Sequence, residues 1–162
     1  MKDISSLETD VTHFLGKITD RLVEVQKEAA NNIMNDAKQL APGNGPYRDS
    51  IKVSDTKITE NSIETNIYTD MTVSSLDSVK YNLGYLLENG TEPHTIVPKN
   101  SKVLVFDING KTVFTTKVNH PGTKPQPHFI PALEKNKFKY KKDVAMSIFK
   151  RWYIWENLYN LN

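Results

Sequence analysis

Apolar residues at Ile4, Leu7, Val11, Phe14, Leu15, Ile18, Leu22, Val25, Ala29, Ile33, Ala37 and Leu40 recur every three or four positions, with charged and polar residues between them. That period is one face of a long amphipathic helix. Asp3 or Ser5 can cap its start, and the APGNGP run at 41–46 ends it, because Pro42 disfavours helical geometry at Ala41 and two glycines follow. Ile51 with Val53, and then Ile63, Thr65, Ile67 and Thr69, alternate as half-buried strands do. MTVSSLDSVK reads as a polar connection, and YNLGYLLENGT reads as a short helix of about two turns stopped by Gly90 in a left-handed cap. In VLVFDINGKTVFTTKV, Asn109-Gly110 is a two-residue hairpin signal that pairs Ile108 with Lys111, Phe106 with Val113 and Val105 with Phe114. This hairpin carries apolar groups on both faces, so it is covered by helices on both sides or docks one face on another subunit. A last helix begins near Pro127 or Pro131, with Leu133, Phe138, Val144, Ile148, Trp152, Trp155 and Tyr159 approximately on one stripe. Together these elements predict an α+β fold: a small, mostly antiparallel sheet with an Asn-Gly hairpin, flanked by a long N-terminal helix and a C-terminal helix.

At 162 residues the chain fits one domain, 1–162, within which residues 140–162 stand out as an aromatic and basic interaction tail. From Glu134 onward seven Lys or Arg face three acids, so this end carries +4 and the remainder −2 of the net +2. The absence of cysteine removes disulfides, thiolate zinc sites and a thiol nucleophile. MKDISSLETD is polar and acidic where a signal peptide would be apolar, and no apolar run approaches the roughly 18 residues of a membrane span. The expectation is a soluble protein made in the cytoplasm, with no membrane partner.

Candidate chemistry centres on HPGTKPQPHFIPALE (120–134), where four prolines and two histidines fall within twelve residues. A zinc site without cysteine needs three or four converging His or carboxylate ligands, usually with a close pair such as HxH or HExxH. His13, His94, His120 and His128 show no such spacing, so no metal site is expected and the histidines read as loop residues that bond locally or meet a partner. No GxSxG elbow is present, and GNGP at 43–46 lacks the lysine of a phosphate loop and follows a helix. Glu88 before Gly90-Thr91 reads as the last turn of a helix more readily than as a carboxylate catalyst. Nothing in the sequence calls for a cofactor. KNKFKYKK (135–142) alternates lysines with aromatics, the ingredients of sequence-blind single-strand binding, although on a helix those lysines spread over several faces.

Three segments in order carry a family resemblance: QLAPGNGPYRDSI (39–51), YLLENGTEPHTIVPKNSKVLVF (85–106) and VNHPGTKPQPHFIPALE (118–134). They resemble the tail-completion, or head-tail joining, proteins of long-tailed bacteriophages. In those proteins a leading helix ends in a Pro-Gly turn before an Arg-x-Ser-Ile strand. A Glu-x-Gly-Thr helix end and a His-x-Ile-x-Pro-Lys strand follow, then a His-Pro-Gly loop running into Pro-x-Phe-x-x-Pro-Ala-Leu. Residues 25–140 are covered. The chain departs from the pattern where Asn44-Gly45-Pro46-Tyr47 precedes Arg48 and in its aromatic C-terminal extension.

The resemblance implies a structural protein and not an enzyme. Similar proteins form a ring, commonly of six copies, in the virion neck, where they cap the tail and dock it to the DNA-filled head. The implied partners are further copies of the chain, a head connector or stopper protein, a tail terminator or tail-tube protein, and DNA in the channel. Ring contacts are heterologous, so a protomer needs two different apolar patches, which the two-faced hairpin offers. The expected contact residues are Glu88, Gly90 and Thr91 at the helix end; His94, Ile96 and Pro98 on the following strand; and His120, Pro121, Gly122, Pro125, Pro127 and Phe129 in the loop. Trp152 and Trp155 are expected anchors, since buried Trp dominates many interfaces. The alternatives are a head-side stopper or minor neck protein, and a nucleic-acid-binding module using the basic C-terminal segment.

Overall fold

The computed structural model describes residues 4–74, 79–99 and 101–159, and of residues 151, 152 and 154–159 it describes the backbone alone. In chain order the elements are α1 (Ile4–Leu40), α2 (Pro46–Ser50), β1 (Ile51–Val53), β2 (Lys57–Ile58), β3 (Ile63–Glu64), β4 (Ile67–Thr69), β5 (Thr72–Ser74) and β6 (Lys80–Asn82). Then come α3 (Leu83–Asn89), β7 (His94–Ile96), β8 (Leu104–Ile108), β9 (Lys111–Thr115), β10 (Val118–His120) and α4 (Phe129–Tyr159). The fold is α+β, as the periodicity predicts, but the strands form five two-stranded ribbons, β1-β4, β2-β3, β5-β6, β7-β10 and β8-β9, in place of one sheet. No helix among the described residues is long and apolar enough to cross a membrane.

The chain divides into two compact units where the sequence suggests one domain. The first comprises residues 1–40, 51–68 and 128–162. Here α1 and α4 run antiparallel: Lys135 and Asn136 reach Asp36 (2.6 Å each), Lys139 reaches Glu28 (2.8 Å) and Tyr140 donates to Gln26 (2.6 Å), so position falls along one helix as it rises along the other. The buried residues of the pair are small or short: Val25, Ala30 and Ala37 on α1, Ala132 and Ser147 on α4. The Lys135 ammonium and the Asn136 amide hold the Asp36 carboxyl below its ordinary range. β1 packs against α1, and Ile51 is completely buried.

One expectation about α4 needs correction. Leu133 and Phe138 face out, Phe138 with 80% of its surface exposed. The inward stripe is instead Ala132, Asn136, Tyr140 and Ser147, because the polar tips of Asn136 and Tyr140 find partners on α1 and their bodies can then be buried. The backbone of α4 continues through residues 140–159.

The second unit comprises residues 41–50 and 69–127. The stretch read as a polar connection contributes two strands, Thr72 pairing with Asn82, Val73 with Tyr81 and Ser74 with Lys80. Each strand is only three residues long and exposed on both faces, too short a run for alternation to identify it. The Asn109-Gly110 hairpin forms in the expected register, including Val105 opposite Phe114 and Phe106 opposite Val113. Asn109 at φ 51° and Gly110 at φ 78° supply the two positive angles that a two-residue turn matching strand twist requires.

Because Ile51 is wholly enclosed, Ile51→Ala is expected to cost about 2–5 kcal/mol and Ile51→Val about 0.5–1.5 kcal/mol. Urea unfolding followed by circular dichroism checks both. Similar losses for the two variants would mean that the site relaxes around the missing atoms.

Candidate functional site

The Glu-x-Gly-Thr and His-Pro-Gly segments, thirty residues apart in sequence, form one structure inside the second unit. β7 and β10 pair antiparallel, with Ile96 opposite Val118, Thr95 opposite Asn119 and His94 opposite His120. The register continues beyond the strands: Thr91 and Thr123 exchange both backbone hydrogen bonds (3.0 and 3.2 Å), and Thr123 N–H also donates to Thr91 Oγ1 at 2.9 Å. Further along, Gln126 N–H donates to Leu87 O at 2.7 Å, so the loop closes onto the last turn of α3.

Two glycines make this closure possible. Gly90 ends α3 with φ 73° and ψ −170°, a positive-φ extended conformation and not the left-handed helical cap expected. That region is essentially restricted to glycine. A Cβ there would collide with Thr123 O and lie 2.9 Å from Pro125 N. Gly122, at φ 79°, backs onto Thr91 O in the same way, and a Cβ would collide with it and lie 2.9 Å from the Glu92 carbonyl carbon. Each strand therefore carries a glycine where the other approaches most closely.

The Arg-x-Ser segment is also structural. Arg48 donates from Nε (2.9 Å) and Nη2 (2.7 Å) to Ala41 O, closing the Pro-Gly turn. Ser50 gives its one hydroxyl proton to Tyr47 O at 2.6 Å, so across the 2.6 Å Ser50–Thr69 contact it is Thr69 that donates. Thr69 Oγ1 in turn accepts from Met71 N–H, and Thr69 O accepts from the Asn82 amide, whose Oδ1 caps α3 at Tyr85 N. Burial, and secondarily the Glu88 carboxylate, push the Tyr47 phenol up to about 12.

Of the expected contact residues, Glu88, Gly90, Thr91, His94, Ile96, His120, Pro121, Gly122 and Pro125 belong to this clasp or its edges. Pro98 lies half-buried past β7, and Pro127 is exposed at the far end of the loop. Phe129 is half-buried at the start of α4 in the other unit, beside His128, whose ring is completely buried with centroids 4.5 Å apart. The fully enclosed side chain at this point is thus the histidine and not the phenylalanine. The side chains of Trp152 and Trp155 lie outside the described residues. Thr123, Gln126, Leu87, Asn82, Ser50 and Thr69 are the contributors that sequence reasoning missed. Only the register could have revealed them.

Sequence spacing gives no indication that His94 and His120 meet, and the fold brings them together: their ring centroids are 5.0 Å apart with planes inclined at 32°. The pair does not suit a metal. His94 Nδ1 faces the Glu92 carbonyl at 2.9 Å and so carries the proton, whereas His120 Nδ1 accepts Gly122 N–H at 3.1 Å. One ring keeps its available lone pair and the other has already used it. No cluster of three or more His, Cys, Asp or Glu able to hold a metal occurs among the described residues.

Two apolar surfaces accompany the clasp. The β8-β9 hairpin leaves Val105 56% and Phe114 67% exposed, directly opposite each other, while Leu104, Phe106 and Val113 on its other face are half-buried. In the first unit, Phe14, Ile18, Ile148 and Phe149 line an open cavity of about 310 Å³ between α1 and α4. Three lysines of KNKFKYKK are held by carboxylates: Lys135 by Asp36, Lys137 by Glu134 and Lys139 by Glu28 and Asp143. Comparison of the chain with protein-family models, with curated proteins and with solved structures gave no match.

Gly90→Ala and Gly122→Ala are each expected to lower stability by at least about 2 kcal/mol, through strained φ and collision with backbone oxygens that cannot move aside. Gly16→Ala, in open space on α1, is expected to raise it by roughly 0.5–1 kcal/mol. Denaturant midpoints decide the contrast, and equal effects at all three sites would contradict the clasp geometry.

Proposed function

We propose that the chain is a structural assembly protein of a long-tailed bacteriophage neck: it forms a ring at the head–tail junction, caps the tail and docks it to the DNA-filled head. It works by shape and surface complementarity and not by catalysis. The observation that carries this reading is the convergence of the resembling segments. The Glu-x-Gly-Thr and His-Pro-Gly motifs lock together through their glycines and threonines, and the Arg-x-Ser motif secures the turn before them. Motifs matched by chance would not be expected to interlock in this way. A second support is the exposed Val105–Phe114 face of the hairpin, which fits the alternative of docking on another subunit. The partners on this reading are further copies of the chain in a ring, a connector or stopper on the head side, and a terminator or tube protein on the tail side. The carboxylate-paired lysines of α4 weigh against the nucleic-acid reading, because a neutralised ammonium offers less to a phosphate.

The double substitution Val105→Lys with Phe114→Glu tests the docking face, since both side chains are exposed and their replacement leaves the folded chain intact. Native mass measurement with and without purified tails should show a ring on the tails for the wild type and a loss of at least tenfold in bound chain for the variant. Undiminished binding would remove the hairpin from the interface, and failure of the wild type to bind tails would overturn the assembly reading itself.

A further inference from the structure

We propose that His94 and His120 form a proton-sensitive latch that keeps the Pro121-Gly122 loop closed while the His120 imidazole is neutral. In the β7-β10 register, Thr91 and Thr123 exchange both backbone bonds, and by strict alternation His94 and His120 occupy a non-hydrogen-bonded position, where facing side chains stand closest. The backbone groups two residues away, Glu92 C=O and Gly122 N–H, are met by imidazoles of their own strands: His94 Nδ1–H donates to Glu92 O and His120 Nδ1 accepts from Gly122 N–H. These bonds fix the tautomers. His94 has its lone pair on Nε2, and His120 carries its proton on Nε2.

A proton added to each ring therefore has a different consequence. On His94 Nε2 it disturbs no bond. On His120 Nδ1 it sets one donor against another and breaks the bond from Gly122. With both rings protonated, two cations face each other 5.0 Å apart, and like charges directly across a ribbon repel. Gly122 is the residue that backs onto Thr91 O, so releasing it loosens the adjoining Thr91–Thr123 bridge. The charged groups on the segments that carry the pair are Glu92 beside His94, and Lys117 and Lys124 flanking His120. Neither imidazole is in an ion pair among the described residues. This latch is a property of the folded chain alone and does not depend on the assembly reading.

Amide hydrogen exchange on the full chain tests it, compared at about pH 7.5 and about pH 5, on either side of the range in which imidazole titrates. After correction for intrinsic rates, the protection of Gly122 and Thr123 is expected to fall roughly tenfold at the lower pH, while that of Ala30 in α1 stays unchanged. In His120→Gln, whose amide oxygen can accept Gly122 N–H but does not titrate, the fall should disappear. A fall of equal size in that variant, or at Ala30, or no fall in the wild type, overturns the proposal. Should His120→Gln not fold, long-range nitrogen–proton spectra of the wild type decide instead: His120 protonated at Nδ1 at about pH 7.5 would also overturn it.

Discussion

The second unit depends on the close approach of two backbones at Gly90 and Gly122. Where α3 ends, the chain turns with a positive φ and runs back beside the loop that follows β10, near enough that neither glycine has room for a Cβ. Once that approach is made, the rest follows by hydrogen-bond accounting. Thr91 and Thr123 satisfy each other, Gln126 satisfies a carbonyl of the last turn of α3, and the imidazoles of His94 and His120 satisfy two groups that the ladder leaves out. Pro125 and Pro127 bring no backbone donors to a loop that has few acceptors to offer them.

The first unit is built by a different rule. α1 and α4 pack through alanines and other short side chains, with longer polar residues reaching across at the margins. Surface ion pairs such as Lys139–Glu28 add little stability, typically below about 1 kcal/mol each, but they consume charge that would otherwise mark α4 as a basic helix. Two of the carboxylates that hold the lysines of α4, Asp36 and Glu28, come from α1.

What the sequence disclosed follows from range. α1, α3 and the Asn109-Gly110 hairpin were legible because their signals lie within a few residues: a three-to-four period, a terminal glycine, and two positions that tolerate positive φ. The pairing of His94 with His120 was not, since a register between segments thirty residues apart has no local signature. The β5-β6 ribbon was missed because its exposed strands are only three residues long. The inward face of α4 was misphased because Asn136 and Tyr140 are half-buried by virtue of partners on α1, whereas Leu133 and Phe138 look like core and are exposed. Of the candidate site, the residues were largely identifiable. Their roles were not: Gly90, Thr91 and Gly122 first shape the backbone, and whatever surface a partner meets is a consequence of that shape.

The account stands or falls on residues 88–96 and 118–126 forming one ribbon in a fixed register. The chain contains no cysteine, so His94→Cys with His120→Cys introduces a single unambiguous pair at a position where facing Cβ atoms come close. Under mild oxidation the account predicts a disulfide within one chain, formed nearly completely and leaving the circular dichroism spectrum unchanged. Thiols that stay free, or that link only different chains, would contradict it.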